Sequence, residues 1–411
     1  MRSSLIPQDI VAVGDSLLTF IERDVVPLEQ ENRALLASDR TIFDDKGRFT
    51  PEVEALKREV RKRSAAQGFY TMFGPEEIGG GGLGPLAAVY LNARLSAHCG
   101  PGRPLVHPVV IPSPFTNGLS PVLVNLDPGL RDRYLPDLAS GEKTLCFGLS
   151  EPDAGSDVFA MKTRAVRDGD GWVITGSKQW ITNGPYADYA MIFAVTDPEL
   201  ASRRKGGVTG FFVDTKSPGF SVVSTIPIMG QHGAEIGILA FDGLLVSDDH
   251  RLGAVDQGLK VALGGVNTGR LGLSATCIGL ARWALDQAVE YSKVRKTFGS
   301  PIGDHQAVQI LIADSATELY AAETMLVDCA LKLEAGERAL AETSMVKLHC
   351  TEAANRIFDR CMQVHGGMGL TNELRLEAGY RFTRSMRIPD GTSEIQRRTI
   401  ARELIANGVN F

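Results

Sequence analysis

Four parts of the chain combine glycine with hydroxyl, aromatic and charged residues, the types that a protein uses to bind a flat, charged ligand. They are residues 147–157 (FGLSEPDAGSD), 180–184 (WITNG), 295–299 with 305–306 (RKTFG and HQ), and 363–369 with 389–396 (QVHGGMG and PDGTSEIQ). A glycine-rich turn brings backbone N–H groups to a phosphate, and a nearby arginine supplies positive charge. An aromatic ring beside a hydroxyl suits a flat heterocycle. Each part alone stays ambiguous, because Trp180 also fits a barrel core and Ser156 also fits a turn.

The elements that must position these residues change in character twice along the chain. Helical patterns fill the first 140 or so residues, including Glu52–Arg63 and Pro85–His98. From about Thr144 short β-forming runs alternate with turn signals, at residues 172–175, 191–195, 211–213, 220–223 and 238–246. After about Gly258 the pattern is helical again. The order α, then β, then a helical bundle excludes the doubly wound sheet of most nucleotide enzymes.

The last third of the chain has apolar residues at three- and four-residue steps, which predicts long amphipathic helices packed side by side. The predicted buried stripes are Ile312, Ala316, Leu319, Leu326, Ala330 and Leu333, followed by Met345, Leu348 and Phe358. Only Glu323 interrupts the first stripe.

Gly79, Gly81 and Gly84 formally satisfy the G-x-G-x-x-G spacing of a dinucleotide site. That fingerprint must follow a strand, whereas the preceding residues 74–77 are Gly-Pro-Glu-Glu. We therefore reject a Rossmann site here.

Composition narrows the class of protein. Lys and Arg number 43 against 49 Asp and Glu, and this net charge of −6 is scattered, which argues against nucleic acid or an anionic membrane as a main partner. The six cysteines form no C-x-x-C pair and the seven histidines form no H-E-x-x-H motif, so neither a disulfide framework nor a metal site is expected. No apolar run reaches the length of a membrane span and no secretory signal is evident, which predicts a cytoplasmic protein.

Together and in this order, the four parts resemble the acyl-CoA dehydrogenase family of flavoproteins, closely from Phe147 to Ile405 and loosely before that. The resemblance implies a mainly helical α+β fold with FAD as the cofactor. It implies an N-terminal helical domain over 1–143, a middle β-barrel or sandwich domain over 144–256, and a C-terminal four-helix bundle over 257–411. It also implies a homo-oligomer, either a dimer or a tetramer, and an electron-transferring flavoprotein as the electron acceptor.

The resemblance further assigns FAD contacts to positions in this chain. Leu149 and Ser150 would bond the pyrimidine side of the flavin, Trp180 would cover its ring, and Thr182 would bond near N5. The remaining FAD contacts that it implies are Phe147, Gly155, Ser156, Ile181, Arg295, Phe298, His305, Gln306, Gln363, Val364, Gly366, Gly367, Thr392, Ser393 and Glu394.

The substrate positions of the family fall on Ser156, Asn267, Arg270, Gly391 and Arg402. Arg270 is expected near the start of a helix, where it supplies a fixed positive charge. A surface arginine that caps helix carbonyls is the simpler interpretation.

The catalytic base departs from the family pattern. Removal of the proton α to a thioester needs one carboxylate, and most members have Glu before Gly-Thr, where this chain has Asp390. Other members place the base before the helix arginine, but that position is Gly269. We therefore predict Asp390 as the base, although Pro-Asp-Gly is also a plain turn signal. Aspartate is shorter by roughly 1.5 Å, and a misplacement of about 1 Å can cost about 10²-fold in rate.

The function that the resemblance implies is FAD-dependent oxidation of an acyl-CoA to the 2,3-enoyl-CoA. Two alternatives stay open: an oxidase of the same superfamily that uses oxygen on a nitroalkane or acyl-CoA, and a flavoprotein that binds acyl-CoA without catalysis. Further departures are Arg381-Phe382, where relatives have Arg-Asp, an insertion over residues 36–50, and a proline-rich stretch over 104–121. Two interpretations stay open for the insertion and for the proline-rich stretch: a surface loop, or a segment that shapes an acyl pocket.

Overall fold

The computed structural model describes residues 5–113, 115–229, 231–264 and 266–409, with the side chains of 266–268 left undescribed. Its helices, in chain order, are α1 Gln8–Phe20, α2 Val26–Glu31, α3 Asp39–Ile42, α4 Pro51–Ala66, α5 Pro85–Cys99, α6 Pro128–Ala139, α7 Pro198–Ser202, α8 Gly258–Gly264, α9 Val266–Val294, α10 Gln306–Glu334, α11 Leu340–His365, α12 Leu376–Ser385 and α13 Ser393–Asn407. Within the described ranges, no helix is both long and apolar enough to span a bilayer.

The strands follow the β-forming runs of the sequence. They are β1 Leu145–Gly148, β2 Arg164–Asp168, β3 Gly171–Thr182, β4 Tyr189–Val195, β5 Val208–Asp214, β6 Phe220–Thr225, β7 Ile236–Ser247, β8 Arg251–Leu252, β9 Lys296–Thr297 and β10 Ser300–Pro301. The main sheet has the order β6-β7-β3-β2-β4-β5-β8, and β1 adds to β4 in parallel. β9 and β10 form a separate antiparallel pair.

The chain divides into two compact units. The sheet unit comprises Glu22–Leu83 and Pro104–Val266, and the bundle unit comprises Met1–Ile21, Gly84–Arg103 and Asn267–Phe411. Each unit is built from segments that lie far apart in the sequence.

The core of the sheet unit lies on both faces of β4. Successive side chains of a strand point to opposite faces, and every residue of β4 is buried. Met191 and Phe193 pack in one cluster with Phe212, whereas Ala190 and Ile192 pack in the other. This burial on both faces explains why β4 is the uninterrupted apolar run YAMIFAV.

The bundle unit is built around α11, which packs against α10, α12 and α13, while α5 packs against α1 and α10. The predicted stripe on α10 is right for Leu319, Leu326 and Ala330 and wrong for Ala316, which is exposed. Ile312 and Leu333 are half-buried. On α11 Phe358 is buried as predicted, whereas Met345 and Leu348 are half-buried.

The buried face of α11 instead includes Val346, Lys347, Cys350, Ala353 and Ile357. A period-based prediction missed this face because a lysine stands in it. Glu323, which interrupts the stripe of α10, forms an ion pair of 2.6 Å with Arg282.

The glycine-rich segment at residues 79–84 follows a single 3₁₀ turn, Glu76–Ile78, rather than a strand. A Cβ on Gly80 would lie 2.1 Å from the Gly74 carbonyl oxygen, so close packing of backbone against backbone requires glycine there. This structural role agrees with the rejection of a Rossmann site.

The segment over residues 36–50, predicted as an insertion, contains regular secondary structure. It contains the short helix α3, and Phe43 and Phe49 form a β-bridge and stack with ring centroids 4.7 Å apart. Phe49 and Ile42 join a small core with Val53 of α4. The segment is therefore a packed part of the sheet unit.

Candidate functional site

The loop after β1 is anchored by a buried ion pair. Lys178 of β3 and Glu151 are 0% and 4% exposed, and Lys178 Nζ lies 2.7 Å from Glu151 Oε1. The same ammonium donates to the Leu149 carbonyl oxygen at 3.1 Å, and Gln179 N–H donates to the Ser150 carbonyl oxygen at 3.0 Å. The pair and this backbone bond therefore fix Leu149 and Ser150, which are two of the predicted flavin contacts, against β3.

Glu151 is the centre of this anchor. Its carboxylate also accepts hydrogen bonds from the N–H groups of Lys162 at 2.6 Å and Thr163 at 3.1 Å. Burial opposes its charge, but Lys178 and these donors outweigh burial and hold the pKa of Glu151 below its usual value. Burial lowers the pKa of Lys178 to about 8, against the opposing effect of Glu151. Both groups are charged at pH 7.

The end of β3 presents Trp180 and Thr182. The register with β7 shifts between Lys178 and Ile181, and Trp180 has a φ of 65° inside this irregularity. The indole is 53% exposed, so the alternative of a barrel-core tryptophan is wrong. A large exposed aromatic held in left-handed backbone is typical of a binding surface.

Other predicted residues of the sheet unit have different surroundings. Ile181 is buried in the core, and Phe147 packs against Phe115 and Phe193 with ring centroids about 5 Å apart. Any contact from these two to a cofactor therefore relies largely on backbone. Gly155 and Ser156 are exposed, and a Cβ on Gly155 would meet no atom within 4 Å.

Thr182 borders a small polar cavity of the sheet unit. The cavity is lined by Lys57, Arg61, Pro108, Val109, Thr116, Asn117, Thr182, Asn183 and Glu235. Part of the 104–121 stretch therefore lines a cavity beside a predicted flavin contact. The Asn183 amide, which donates to the Leu145 carbonyl oxygen at 3.0 Å, ties the end of β3 to β1.

In the bundle unit, Asp390 and Gly391 form a tight turn before α13. Both have left-handed backbone, with φ values of 56° and 94°. A non-glycine residue in this region is uncommon, and it persists where surrounding bonds hold it.

Three side chains supply those bonds. Arg270 Nε donates to the Asp390 carbonyl oxygen at 3.0 Å, and Gln396 Nε2 donates to the carbonyl oxygens of both Asp390 and Gly391 at 3.0 Å. Lys347 Nζ also donates to the Gly391 carbonyl oxygen, at 2.9 Å. Arg270 is half-buried in the first turns of α9, so it is not the surface capping arginine of the simpler interpretation.

The Asp390 carboxylate is held in a positive environment without a direct partner. Among residues 5–113, 115–229, 231–264 and 266–409, it accepts no hydrogen bond and forms no ion pair within 4.0 Å. Burial raises the pKa of Asp390, and the charges of Arg270 and Lys347 oppose that rise. The result is a carboxylate free to accept a proton.

The residues predicted for the adenosine and pyrophosphate half lie in two places of the bundle unit. Arg295 and Phe298 belong to the β9–β10 hairpin region, where Phe298 is fully exposed with a φ of 52°. His305 holds this hairpin through the Thr297 carbonyl oxygen at 3.2 Å, and Gln306 is exposed at the start of α10.

The second place is the C-terminal end of α11. Gln363, Gly366 and Gly367 are exposed there, whereas Val364 is buried.

The residues around the start of α13 have distinct roles. Thr392 caps the helix by accepting from the Ile395 N–H at 3.3 Å, and Glu394 is exposed. Ser393 is buried, and its hydroxyl donates to Glu352 Oε1 at 2.8 Å. The Ser393 side chain is thus already engaged within the protein.

The remaining substrate positions carry less information. Arg402 is exposed on α13. Asn267 lies outside the residues whose side chains are described. Arg381 pairs with Glu377 at 2.6 Å, which accounts for its position in α12 but not for the neighbouring Phe382.

Sequence reasoning missed three buried charged side chains: Glu151, Lys178 and Lys347. Glu151 lies within the 147–157 segment, where the resemblance gives it no role, and the two lysines carry no motif; a charged residue is seldom buried, so the sequence does not predict their burial. A signal was available for Lys178, which stands two residues before Trp180 on a β-forming strand. Lys347 offers the weaker signal of one cation among apolar and small residues.

The exposed groups fit the flavin that the resemblance implies. Trp180 offers an aromatic face, Thr182 an exposed hydroxyl, and Gly155 a backbone that a ligand can approach closely. In the bundle unit, Arg295 and the glycines at 366 and 367 offer charge and accessible backbone to a phosphate. In the described part of the chain, no cluster of three His, Cys, Asp or Glu residues suits a metal ion.

Family models match nearly the whole chain. The acyl-CoA dehydrogenase N-terminal domain matches residues 29–142, the middle domain matches 146–244, and the C-terminal domain matches 256–405.

Among curated proteins, the chain is 35% identical over 348 residues to 3-(aryl)acrylate reductase of Clostridium sporogenes, covering 85% of this chain and 90% of that protein. It is 34% identical over 344 residues to the human mitochondrial short-chain specific acyl-CoA dehydrogenase, with 84% and 82% covered. It is also 34% identical over 348 residues to the caffeyl-CoA reductase–Etf complex subunit CarC of Acetobacterium woodii, with 85% and 90% covered.

Solved structures agree with these matches. Glutaryl-CoA dehydrogenase from Mycobacterium smegmatis superimposes with a TM-score of 0.82 and 28% identity, over 100% of this chain and 97% of that one. An FAD complex of PigA superimposes with a TM-score of 0.81 and 26% identity, over 98% and 99%. The chain belongs to the acyl-CoA dehydrogenase family and is an FAD-dependent oxidoreductase of that family.

Proposed function

We propose that the protein oxidises an acyl-CoA thioester to the 2,3-enoyl-CoA, with Asp390 as the base that removes the α-proton. The observation that carries the proposal is the half-buried Asp390 carboxylate, which has no direct partner among the described residues and lies in the field of Arg270 and Lys347. A base needs lone pairs free for the incoming proton, and a raised pKa makes it a stronger acceptor.

The backbone of the same turn supports this role. The Asp390 carbonyl oxygen is already held by Arg270 and Gln396, so the turn is fixed. The Asp390 N–H has no protein acceptor in the described ranges, which leaves it to bind the thioester oxygen. Such a bond stabilises the negative charge that forms on this oxygen as the α-proton leaves.

Two hydrogens leave the substrate in this reaction. The α-hydrogen leaves as a proton, and its C–H bonding electrons form the new C=C bond while the proton binds a carboxylate oxygen of Asp390. Bound FAD supplies the acceptor for the hydride that leaves the β-carbon. We propose that FAD contacts come from the residues predicted for it, and substrate contacts from Ser156, Asn267, Arg270, Gly391 and Arg402.

The test is anaerobic reduction of the enzyme-bound flavin by a panel of acyl-CoA thioesters, followed by the bleaching of its visible absorption. We expect Asp390→Asn to keep its FAD and to lose about 10²- to 10⁴-fold in reduction rate, as expected for removal of a general base. Arg402→Gln, on the exposed face of α13, separates a loss of substrate affinity from a loss of chemistry. Undiminished bleaching in Asp390→Asn would refute the assignment.

The panel also separates the alternatives. Peroxide formed in air without an added carrier identifies an oxidase, and a spectral shift without reduction identifies a binding protein. Similarity to two reductases supports a reverse assay, in which the reduced enzyme is mixed with an enoyl thioester, because a base that removes the α-proton returns it in the reverse direction.

We also propose an electron-transferring flavoprotein as the acceptor and a homo-oligomeric assembly. The relation to a subunit of an Etf complex supports the first. The fully exposed Phe298 supports the second, because a phenylalanine entirely in solvent is unusual on an isolated chain. Reduction of added electron-transferring flavoprotein and light scattering test the two separately.

A further inference from the structure

Lys347 is the least expected side chain in the bundle unit. It is 0% exposed in the middle of α11, on a face otherwise made of small and apolar residues such as Val346, Cys350 and Ala354. A buried ammonium is costly unless its charge and its donors are used. The hydrogen bond found for its Nζ goes to the Gly391 carbonyl oxygen at 2.9 Å.

In the described part of the chain, the groups that act on the charge of Lys347 are Asp390, Cys277, Arg270 and Glu352. Glu352 is already engaged by Arg387 at 2.8 Å and by the Ser393 hydroxyl at 2.8 Å. Burial raises the pKa of Cys277 to about 12, so that side chain is a neutral thiol. The carboxylate left to balance Lys347 is therefore Asp390.

Burial lowers the pKa of Lys347 to about 8, against the opposing effect of Asp390. The side chain is therefore a cation at neutral pH. Among the described residues, the charges of Arg270 and Lys347 act on Asp390. Arg270 of α9 bonds the Asp390 carbonyl oxygen of the turn, whereas Lys347 of α11 bonds the Gly391 carbonyl oxygen.

The hydrogen bond of Lys347 is not the only support of the turn. Gln396 donates to the carbonyl oxygens of both Asp390 and Gly391, and Arg270 donates to that of Asp390. The turn thus keeps three hydrogen bonds when Lys347 is removed. What Lys347 alone provides is a second buried positive charge.

We propose that Lys347 is a positioning residue for the reaction, whose charge keeps the Asp390 carboxylate ionised and ready to accept the α-proton. This inference rests on the proposed role of Asp390 as the base. It assigns a function to a buried side chain that bonds the backbone of the turn, and it explains why a cation occupies the buried face of α11.

The test is the pH dependence of kcat/KM for Lys347→Gln and Lys347→Met, compared with the wild-type holoenzyme. Glutamine keeps a donor for the Gly391 carbonyl and removes the charge, whereas methionine removes both. Without the cation Asp390 binds its proton more tightly, so the acidic limb of the profile moves to higher pH in both variants. We expect a shift on the order of 1 pH unit, the usual effect of a nearby opposite charge.

Lys332→Met is the matched control, because it removes a half-buried lysine of the same unit that pairs with Glu342 at 3.0 Å. Lys332→Met should leave the acidic limb of the kcat/KM profile at the same pH as in the wild type. FAD content, measured from the visible spectrum, shows whether each variant is folded and loaded.

Each outcome decides the matter. A shifted limb in both Lys347 variants supports the inference. An unmoved limb, a loss of rate in the methionine variant alone, or failure of both variants to fold as holoprotein makes Lys347 structural and overturns it. Failure of the proposed function is distinguishable, because it appears as full activity in Asp390→Asn, whatever the Lys347 variants do.

Discussion

Breaking the Lys178–Glu151 ion pair should destabilise the sheet unit far more than removing the pair altogether. Both partners are essentially inaccessible to solvent, and Glu151 accepts from two backbone N–H groups as well as from Lys178. In Glu151→Gln or Lys178→Met, one buried charge is left without its partner. The expected loss is about 3 to 5 kcal/mol for each single change. Glu151→Gln/Lys178→Met removes both charges, so it should recover much of that loss.

The loss should also depend on pH. The pKa of Glu151 is held below its usual value of 4.5, so the contribution of Glu151 to stability is present above that pH. As the pH falls through the lowered pKa, Glu151 takes up a proton in the folded state too and the contribution disappears. The difference between wild type and Glu151→Gln should therefore be full at pH 7 and shrink below about pH 4.5.

The assay is urea unfolding of the FAD-free protein followed by tryptophan fluorescence. A Trp283→Phe background leaves Trp172 and Trp180, which both lie on β3, as reporters of the sheet unit. Asp153→Asn is the control, because its ion pair with Lys162 is as short, 2.7 Å, but its partners are 65% and 74% exposed. It should leave the free energy of unfolding nearly unchanged, because an exposed ion pair is screened by solvent. Equal costs for the control and the buried pair, or a double variant as unstable as the sum of the single changes, would refute the reasoning.

Two further predictions concern exposure. Trp180→Ala should weaken FAD binding by about 2- to 10-fold, the equivalent of one aromatic contact. It should leave the unfolding midpoint of the FAD-free protein unchanged, because Trp180 is 53% exposed. An unchanged FAD affinity in equilibrium titration would contradict the role of Trp180. All six cysteines are free and buried, and burial raises the pKa of Cys146 and Cys361 to about 12, so a thiol-specific disulfide reagent should titrate no thiol in the native protein and six in denaturant. Rapid reaction of even one native thiol would show that the core around it opens.

Much of the fold follows from the sequence because its patterns are local. The run YAMIFAV predicts a buried strand, and the alternation of Gly, Asp and β-forming residues predicts the strands around it. The first and last residues of the strands were less predictable from the sequence. The run at 172–175 is the start of β3, which continues to Thr182 through the irregularity around Trp180.

The residues of the candidate site that belong to a sequence motif could be predicted, whereas the buried charged residues could not. Asp390 and Trp180 were found from their neighbours in sequence. The side chains that hold the Asp390–Gly391 turn come from α9, α11 and α13, and no spacing rule connects Lys347 to Gly391, 44 positions later. The pairing of Lys178 with Glu151 depends on the contact between a loop and a strand, which only the folded chain shows.

The discontinuous make-up of the two units constrains how the chain can fold as it is synthesised. All segments of the sheet unit precede residue 267. The helices α1 and α5 also precede it but belong to the bundle unit, and α5 packs against α10 from the last third of the chain. Ten of the fifteen residues of α5 are buried in the finished protein, among them Leu86, Val89, Leu91 and Leu95. A nascent chain of about 266 residues thus holds a complete sheet unit together with α1 and α5, and α5 still lacks the packing of α10 that covers it in the finished protein. Synthesis of the last third is therefore the interval in which this protein most needs protection from aggregation.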